Sequence, residues 1–178
     1  MWFNPGAGTG AASREDWNDP LLRETISPAQ IQAQVGDQLA RMTPESVERA
    51  RQNLKTMGGS NALKLRAAGM KIVNGSDTGQ TRFFIGWAGQ LEFEHWVLMG
   101  LTPSEAIVAA TRDSAAAAHL NTGLVATGRS ADFIVLDANP LDNIANSRRI
   151  NKVYLRGQEV DRAALKARWQ AAWSRGAK

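Results

Sequence analysis

A short apolar run, Met70 to Val73, follows a helix-compatible stretch and stops at Asn74-Gly75, with an aspartate two residues further on in "KIVNGSDTGQ". An apolar strand after a helix, closed by glycine, is the βα rhythm of a parallel sheet buried on both faces. That pattern makes the chain α/β. In a barrel of this class, side chains at the C-terminal ends of strands converge on the mouth where chemistry is done. Asp77 stands at such an end, with Gly75 and Gly79 leaving room beside it. The same "SDTG" letters also suit an Asx-turn or a helix N-cap, and the spacing alone leaves both readings open.

The rest of the chain supports the alternation. "SPAQ" (Ser27 to Gln30) and "TPSE" (Thr102 to Glu105) place a hydroxyl at the N-cap, proline at the first helical position and Gln or Glu at the third. "TPES" (Thr43 to Ser46) has the cap and the proline, with Glu45 in the first turn. The hydroxyl accepts an orphan backbone N–H, and proline loses nothing where no partner exists. These signals predict helices near 28–41, 44–57 and 103–119, with Gly58-Gly59 ending the second. A short helical stretch over 60–68 then leads into the strand. The opening "MWF" reads as the end of a strand running into a loop. Its "GAGTGA" nearly matches a dinucleotide fingerprint, but no helix pattern opens on it and a plain loop is expected.

After residue 120 the texture turns to short strands. Phe133 to Leu136 is uninterrupted apolar and reads as a strand buried on both faces, and "INKVYLRGQEV" reads as a hairpin about Arg156-Gly157. In the tail, Leu165, Trp169 and Trp173 lie four apart on one helical face, a stripe expected to dock on the protein's own surface.

The pieces from Leu63 to Val160, taken in order, resemble the C-terminal part of the metal-dependent amidohydrolase superfamily, especially its imidazolonepropionase-like members. "LRAAGMKIVNGSDTG" is similar to the strand-eight segment that carries the family's aspartate. "LEFEHWVLMGLTPSEAIVAATRDSAAAAHL" resembles the helices after it. "TGLVATGRSADFIVLDANPLDNI" and "INKVYLRGQEVD" resemble strands of its small β-sandwich. The resemblance implies an incomplete (β/α)8 TIM-like barrel plus part of that sandwich. Residues 1–120 would hold the last barrel units (strands seven and eight with their helices), 121–160 the sandwich strands and 161–178 a C-terminal amphipathic helix. It implies hydrolysis of amide or cyclic amide C–N bonds outside peptides, with Asp77 as catalytic carboxylate and metal contact. The cofactor would be a divalent metal, zinc foremost.

The family's other ligands include a His-x-His pair and further single histidines, whereas this chain has two histidines in all. A catalytic zinc takes three protein ligands plus water, so Asp77 could hold metal only if an N-terminal half were supplied. Tight metal binding and turnover by the chain alone are not expected. Glu92 and His95 form an acid-x-x-His pair, but a lone pair of this kind is weak and a packed histidine is the expected role. His119 is expected in the last turn of its helix, complementing the dipole. Trp2, Asn4, Arg82 and Phe84 are placed near the mouth without roles.

Composition trims the alternatives. The net charge is +4, with Arg148-Arg149 and the terminal basic residues read as a solvated face, so no nucleic-acid partner is expected. No apolar run approaches the ~20 residues of a membrane span. Cysteine is absent and no secretory signal pattern opens the chain, which suits the cytoplasm. The expected partners are a small-molecule amide substrate and either a complementing N-terminal half or a second copy. The competing function is a non-catalytic assembly or binding module derived from the same fold.

Overall fold

The structure, a computed structural model, describes residues 1–3, 12–76 and 84–176. The chain begins with a strand, β1 (Trp2–Phe3), that pairs in parallel with β2 (Lys71–Ile72), in the register Trp2 to Lys71 and Phe3 to Ile72. Between them lie α1 (Arg14–Trp17), α2 (Pro20–Thr25), α3 (Pro28–Arg41), α4 (Pro44–Asn53), a π-helical segment (Leu54–Gly58) and α5 (Gly59–Ala67). After β2 come α6 (Trp87–Leu98), α7 (Pro103–Val108), a second π segment (Ala109–Asp113) and α8 (Ser114–Ala117). The parallel pair and its helical crossover are the βα rhythm expected from the strand at 70–73.

The helix starts form as their caps dictate. Ser27, Thr43 and Thr102 each accept the N–H three residues on, and the reciprocal arm of the capping box is present in all three. Glu105 serves as the reciprocal arm for Thr102 and also pairs with Arg66 of α5.

Gly58-Gly59 does not end the second helix. Both glycines have right-handed φ values, and the helix runs through them by a π turn into α5. Their smallness serves packing instead. A Cβ on Gly59 would sit 2.6 Å from the carbonyl oxygen of Met99, and one on Gly58 would sit 3.2 Å from its Sδ. The C-terminal end of α6 therefore crosses this point at backbone contact. The true stop comes at Gly69, with φ +86°, where the N–H groups of Gly69 and Met70 return to the carbonyls of Arg66 and Leu65.

His119 lies past its helix rather than in the last turn. It takes a left-handed φ of +56°, its N–H bonds the Ala116 carbonyl, and Leu120 N–H bonds that of Ala115. This is the αL closing residue of a Schellman ending, a position glycine usually fills.

Two apolar clusters meet along α6. One joins Ala12, Trp17, Leu22, Ile31 and Val35 to Phe84, Trp87 and Leu91. The Trp17 and Trp87 rings lie 4.6 Å apart, and Trp17 meets Phe84 edge-on at 6.2 Å. The other joins Ile72 to Phe93, Trp96, Met99, Leu101, Ala106, Ala109 and Ile144. Seven of the twelve residues of α6 are buried, Glu92 and His95 among them, and α6 is the spine of this body.

The β region is a three-stranded antiparallel sheet of β3 (Phe133–Leu136), β4 (Ile150–Leu155) and β5 (Gln158–Glu159), in the order β3-β4-β5. The β4–β5 turn has positive φ at both Arg156 (+51°) and Gly157 (+79°), the primed geometry that suits strand twist. β3 has the boundaries expected of it but is not buried. Phe133, Ile134 and Val135 are 37%, 43% and 41% exposed, although successive residues point to opposite faces. No second sheet covers β3 among the described residues, so neither face is closed.

A 3-10 turn (Ile144–Arg148) precedes β4, and α9 (Arg162–Gly176) ends the chain. α9 rests on α2 through Arg162 and Lys166, both bonded to Glu24. Its apolar stripe is only partly covered: Leu165 and Trp173 are half-buried and Trp169 is exposed.

Arg148 overturns the reading of a solvated basic face. Its guanidinium meets Asp19 at 2.6 Å, Asp16 at 3.3 Å and Glu94 at 2.8 Å, and all four side chains are nearly covered. Its neighbour Arg149 is exposed. Arg148 is thus a clamp tying the 3-10 turn to α1, α2 and α6.

Candidate active site

The segment leaving β2 is fixed before it reaches the aspartate. Asn74 N–H donates to Ser114 Oγ at 2.8 Å, and its side-chain amide donates to the Gly89 carbonyl at 3.1 Å. Gly75 N–H donates to Glu92 Oε2 at 3.1 Å. Ser114 in turn donates to the Ala109 carbonyl at 2.7 Å, so its hydroxyl links the second π segment to the strand end. Three elements, α6, the π segment and α8, therefore hold residues 74–75 in place. A Lys71–Asp113 ion pair at 3.8 Å adds a tether at the start of the strand.

Glu92 and His95 lie one turn apart on α6, and both are buried. Glu92 faces the strand end. His95 is packed inside, as its sequence context suggests. Asp77, the candidate catalytic residue and metal contact, lies outside the described residues, as do Asn4, Arg82 and the "GAGTGA" loop. Trp2 lies on β1, and Phe84 is packed in the aromatic cluster against Trp17 rather than lining a mouth. Asn74, Gly89, Glu92 and Ser114 form the support of the site. In the sequence Asn74-Gly75 marks only the end of the apolar run, and no local signal pairs it with Ser114 forty residues on.

The described residues do not make a metal centre. No three of His, Cys, Asp or Glu among them converge to hold an ion. The Glu92–His95 pair offers two donors, and one Glu92 oxygen is engaged by Gly75. A three-ligand site cannot be completed from this set.

Glu94 points to the other side of α6, into the Arg148 clamp. Burial pushes its carboxyl up to about 7, and Asp16 and Asp19 add to the effect while Arg148 opposes it. Beside the clamp is a cavity of about 370 Å³, lined by Glu24, Arg148, Arg149 and Arg162 among others. Its mixture of opposed charges belongs to the joint between elements. It is far in character from a reaction centre.

Comparison with known proteins places the chain. Its sequence matches the amidohydrolase family over residues 30–160, and the chain belongs to that metal-dependent superfamily. A solved protein from Bifidobacterium longum, described as a prolidase by assignment, aligns at 30% identity and TM-score 0.54 over 76% of this chain and 36% of its own. A molinate hydrolase aligns at 27% identity and TM-score 0.50 over 61% of this chain and 27% of its own. A prolidase solved with N-methylphosphonate-L-proline aligns at 28% identity and TM-score 0.50, over 72% and 32%. The chain thus spans about a third of the length of the structures it matches. A search of curated proteins finds no match. The family generally uses divalent metals.

Proposed function

We propose that this chain is the C-terminal segment of an amidohydrolase that cleaves amide or cyclic amide C–N bonds of small molecules outside peptides. In this reading residues 1–120 carry the last two strands of the (β/α)8 barrel with their helices. Residues 121–160 carry sandwich strands, and 161–178 a terminal helix. The observation that carries the reading is that Asn74 and Gly75, which lead in sequence into Asp77, follow a parallel strand and lie inside the family match. That approach is held by Asn74–Ser114 and Gly75–Glu92. Such bracing is what a catalytic carboxylate requires, since small misplacements of a reacting group cost rate heavily.

Asp77 then acts as general base and general acid. It takes a proton from the attacking water and returns it to the departing nitrogen. Ligands for the family's divalent metal would have to come from polypeptide beyond this chain, and so would most of the substrate pocket. Hydrolysis is therefore a property of the complemented protein. The exposed apolar strand β3 also suits the second reading, an assembly module that kept this fold without its chemistry.

The test is to supply the N-terminal portion, in cis or as a second chain, and compare Asp77 with Asp77→Asn. The amide preserves size and capping ability but cannot accept the proton. The expected result is a loss of about 10²–10⁴-fold in rate with an unchanged thermal midpoint. Near-normal activity in the variant would leave "SDTG" as turn chemistry. Complementation that yields a stable complex without metal uptake or turnover would favour the assembly module.

A further inference from the structure

Only one asparagine of the chain is followed by glycine: Asn74, at the strand end. In such a pair the glycine nitrogen can reach the asparagine side-chain carbonyl, because the following residue has no Cβ to hold the two apart and its backbone turns freely. Three contacts stand against that attack. Asn74 N–H donates to Ser114 Oγ at 2.8 Å, which fixes the backbone on one side of the side chain. Asn74 Nδ2, the nitrogen that would have to depart, donates to the Gly89 carbonyl at 3.1 Å. Gly75 N–H, whose proton would have to be removed, donates to Glu92 Oε2 at 3.1 Å. The side-chain amide is also seated closely against α6, since a Cβ on Gly89 would lie 3.5 Å from Asn74 Oδ1. Asn74 is half-buried and Gly75 exposed, so water reaches the pair.

We propose that Asn74 is a self-modification site, and that the clasp formed by Ser114, Gly89 and Glu92 sets its rate by how often it opens. Once the contacts part, Gly75 N gives its proton to solvent and bonds to Asn74 Cγ. The Cγ–Nδ2 bond breaks, the nitrogen takes a proton from solvent and leaves as ammonia, and a cyclic imide closes over the two residues. Water then adds to one of the two imide carbonyls. Opening between Cγ and Gly75 N leaves aspartate at 74. Opening at the main-chain carbonyl of residue 74 leaves isoaspartate, with the main chain routed through the side chain and longer by one methylene. In sum an amide and water become an acid and ammonia, with nothing oxidised or reduced. The longer product alters the backbone three residues before Asp77, where the strand end is tied to α6 and α8. On the proposed catalytic reading of Asp77, the clasp therefore sets the working life of the site. The modification itself does not depend on that reading.

The experiment incubates the full 178-residue chain at mildly alkaline pH and follows residue 74 by peptide mapping, which separates aspartyl and isoaspartyl products from the parent. The readout is chemical, so it stands or falls apart from any hydrolytic activity. The unfolded chain in denaturant should convert Asn74, and the folded chain should do so about tenfold or more slowly, because the reaction waits on local opening. Ser114→Ala should speed conversion in the folded chain about tenfold, the scale of one lost hydrogen bond. If that variant does not fold, the parent chain in denaturant below its unfolding midpoint decides, and its conversion should rise ahead of the global transition. Equal rates in the folded and unfolded chains would overturn the proposal, as would no product in either. An unchanged rate in folded Ser114→Ala, or conversion that rises only with global unfolding, would overturn the role of the clasp. Slower conversion in Glu92→Gln would do the same, since Glu92 would then be drawing off the Gly75 proton rather than holding it in place.

Discussion

The large apolar side chains of α6 are covered: Trp87 and Leu91 by the N-terminal helices, Phe93 and Trp96 by β2, α7 and the 3-10 turn. In β3, which is apolar throughout, three consecutive residues remain about two-fifths exposed. The difference does not come from hydropathy. A helix of twelve residues presents neighbours in all directions to elements that precede and follow it in the same chain. A strand needs a covered face and two paired edges, and β3 has one partner strand. The helical body closes on itself, while the sheet stays open among the described residues.

The largest effect expected from this contrast is at Trp96, which is 0% exposed at the centre of the closed body. Trp96→Ala should cost about 3–5 kcal/mol, from lost burial plus the cavity left behind. Urea denaturation measures it. A loss under about 1 kcal/mol would mean that the body is as open as the sheet, and the comparison would fail.

The clamp between the two regions should show itself through pH. Glu94 has a carboxyl raised from 4.5 to about 7, chiefly by burial. Its folded value exceeds its unfolded value, so its stabilising contribution is complete below about 4.5. It is lost as pH rises through about 7. At about 1.4 kcal/mol per unit, the chain should lose about 2–3 kcal/mol from this group between pH 5 and pH 8. Glu94→Gln, which imitates the protonated form, should remove that slope. Thermal midpoints of both proteins across the range check it, and parallel profiles would place the pH dependence elsewhere.

How far these features were legible in the sequence depends on how local their causes are. The caps at Ser27, Thr43 and Thr102 act within three residues, and their helices begin where those letters stand. The turn at Arg156-Gly157 is equally local. Gly58-Gly59 was misread because its reason is Met99, forty residues away, and a glycine pair is otherwise the usual mark of a helix end. Arg148 was misread for the same reason, with partners at 16, 19 and 94. β3 shows both halves of the lesson. Its span follows from its own residues, but its burial depends on what lies against it. Of the candidate site, Asp77 stood out by its glycine neighbours, whereas its supports at Asn74, Glu92 and Ser114 come together only in the fold.

A smaller effect is expected at the seam. Gly123 has φ +83°, and a Cβ there would lie 2.6 Å from the Thr111 carbonyl oxygen and 2.7 Å from Ala115 Cβ. The loop entering the sheet is thus pressed onto the second π segment at a point only glycine fits. Gly123→Ala should cost about 2 kcal/mol, from left-handed strain and the displaced contact. Gly128, also at positive φ (+81°) but with nothing within 4 Å of a Cβ, isolates the strain alone. The difference between Gly123→Ala and Gly128→Ala, read from chemical denaturation, therefore measures how tightly the two regions are joined. Equal costs would mean that the seam is loose.

The smallest effect belongs to Val135. A strand buried on both faces would lose about 1–3 kcal/mol on Val135→Ala, through transfer and cavity terms together. In the structure this side chain is 41% exposed and leaves no enclosed cavity when shortened. Its N–H and C=O belong to the β4 ladder and are unaffected by the change. What remains is partial burial of two methyl groups and a weaker strand propensity, together about 0.5–1 kcal/mol. The measurement is the urea midpoint of Val135→Ala beside that of Trp96→Ala in the same buffer. A cost for Val135 near that of Trp96 would show that the sheet closes in solution and that the contrast between the two regions fails. A cost under about 1 kcal/mol would sharpen the contrast instead, because it would show that an apolar strand without a cover over its faces holds no core position.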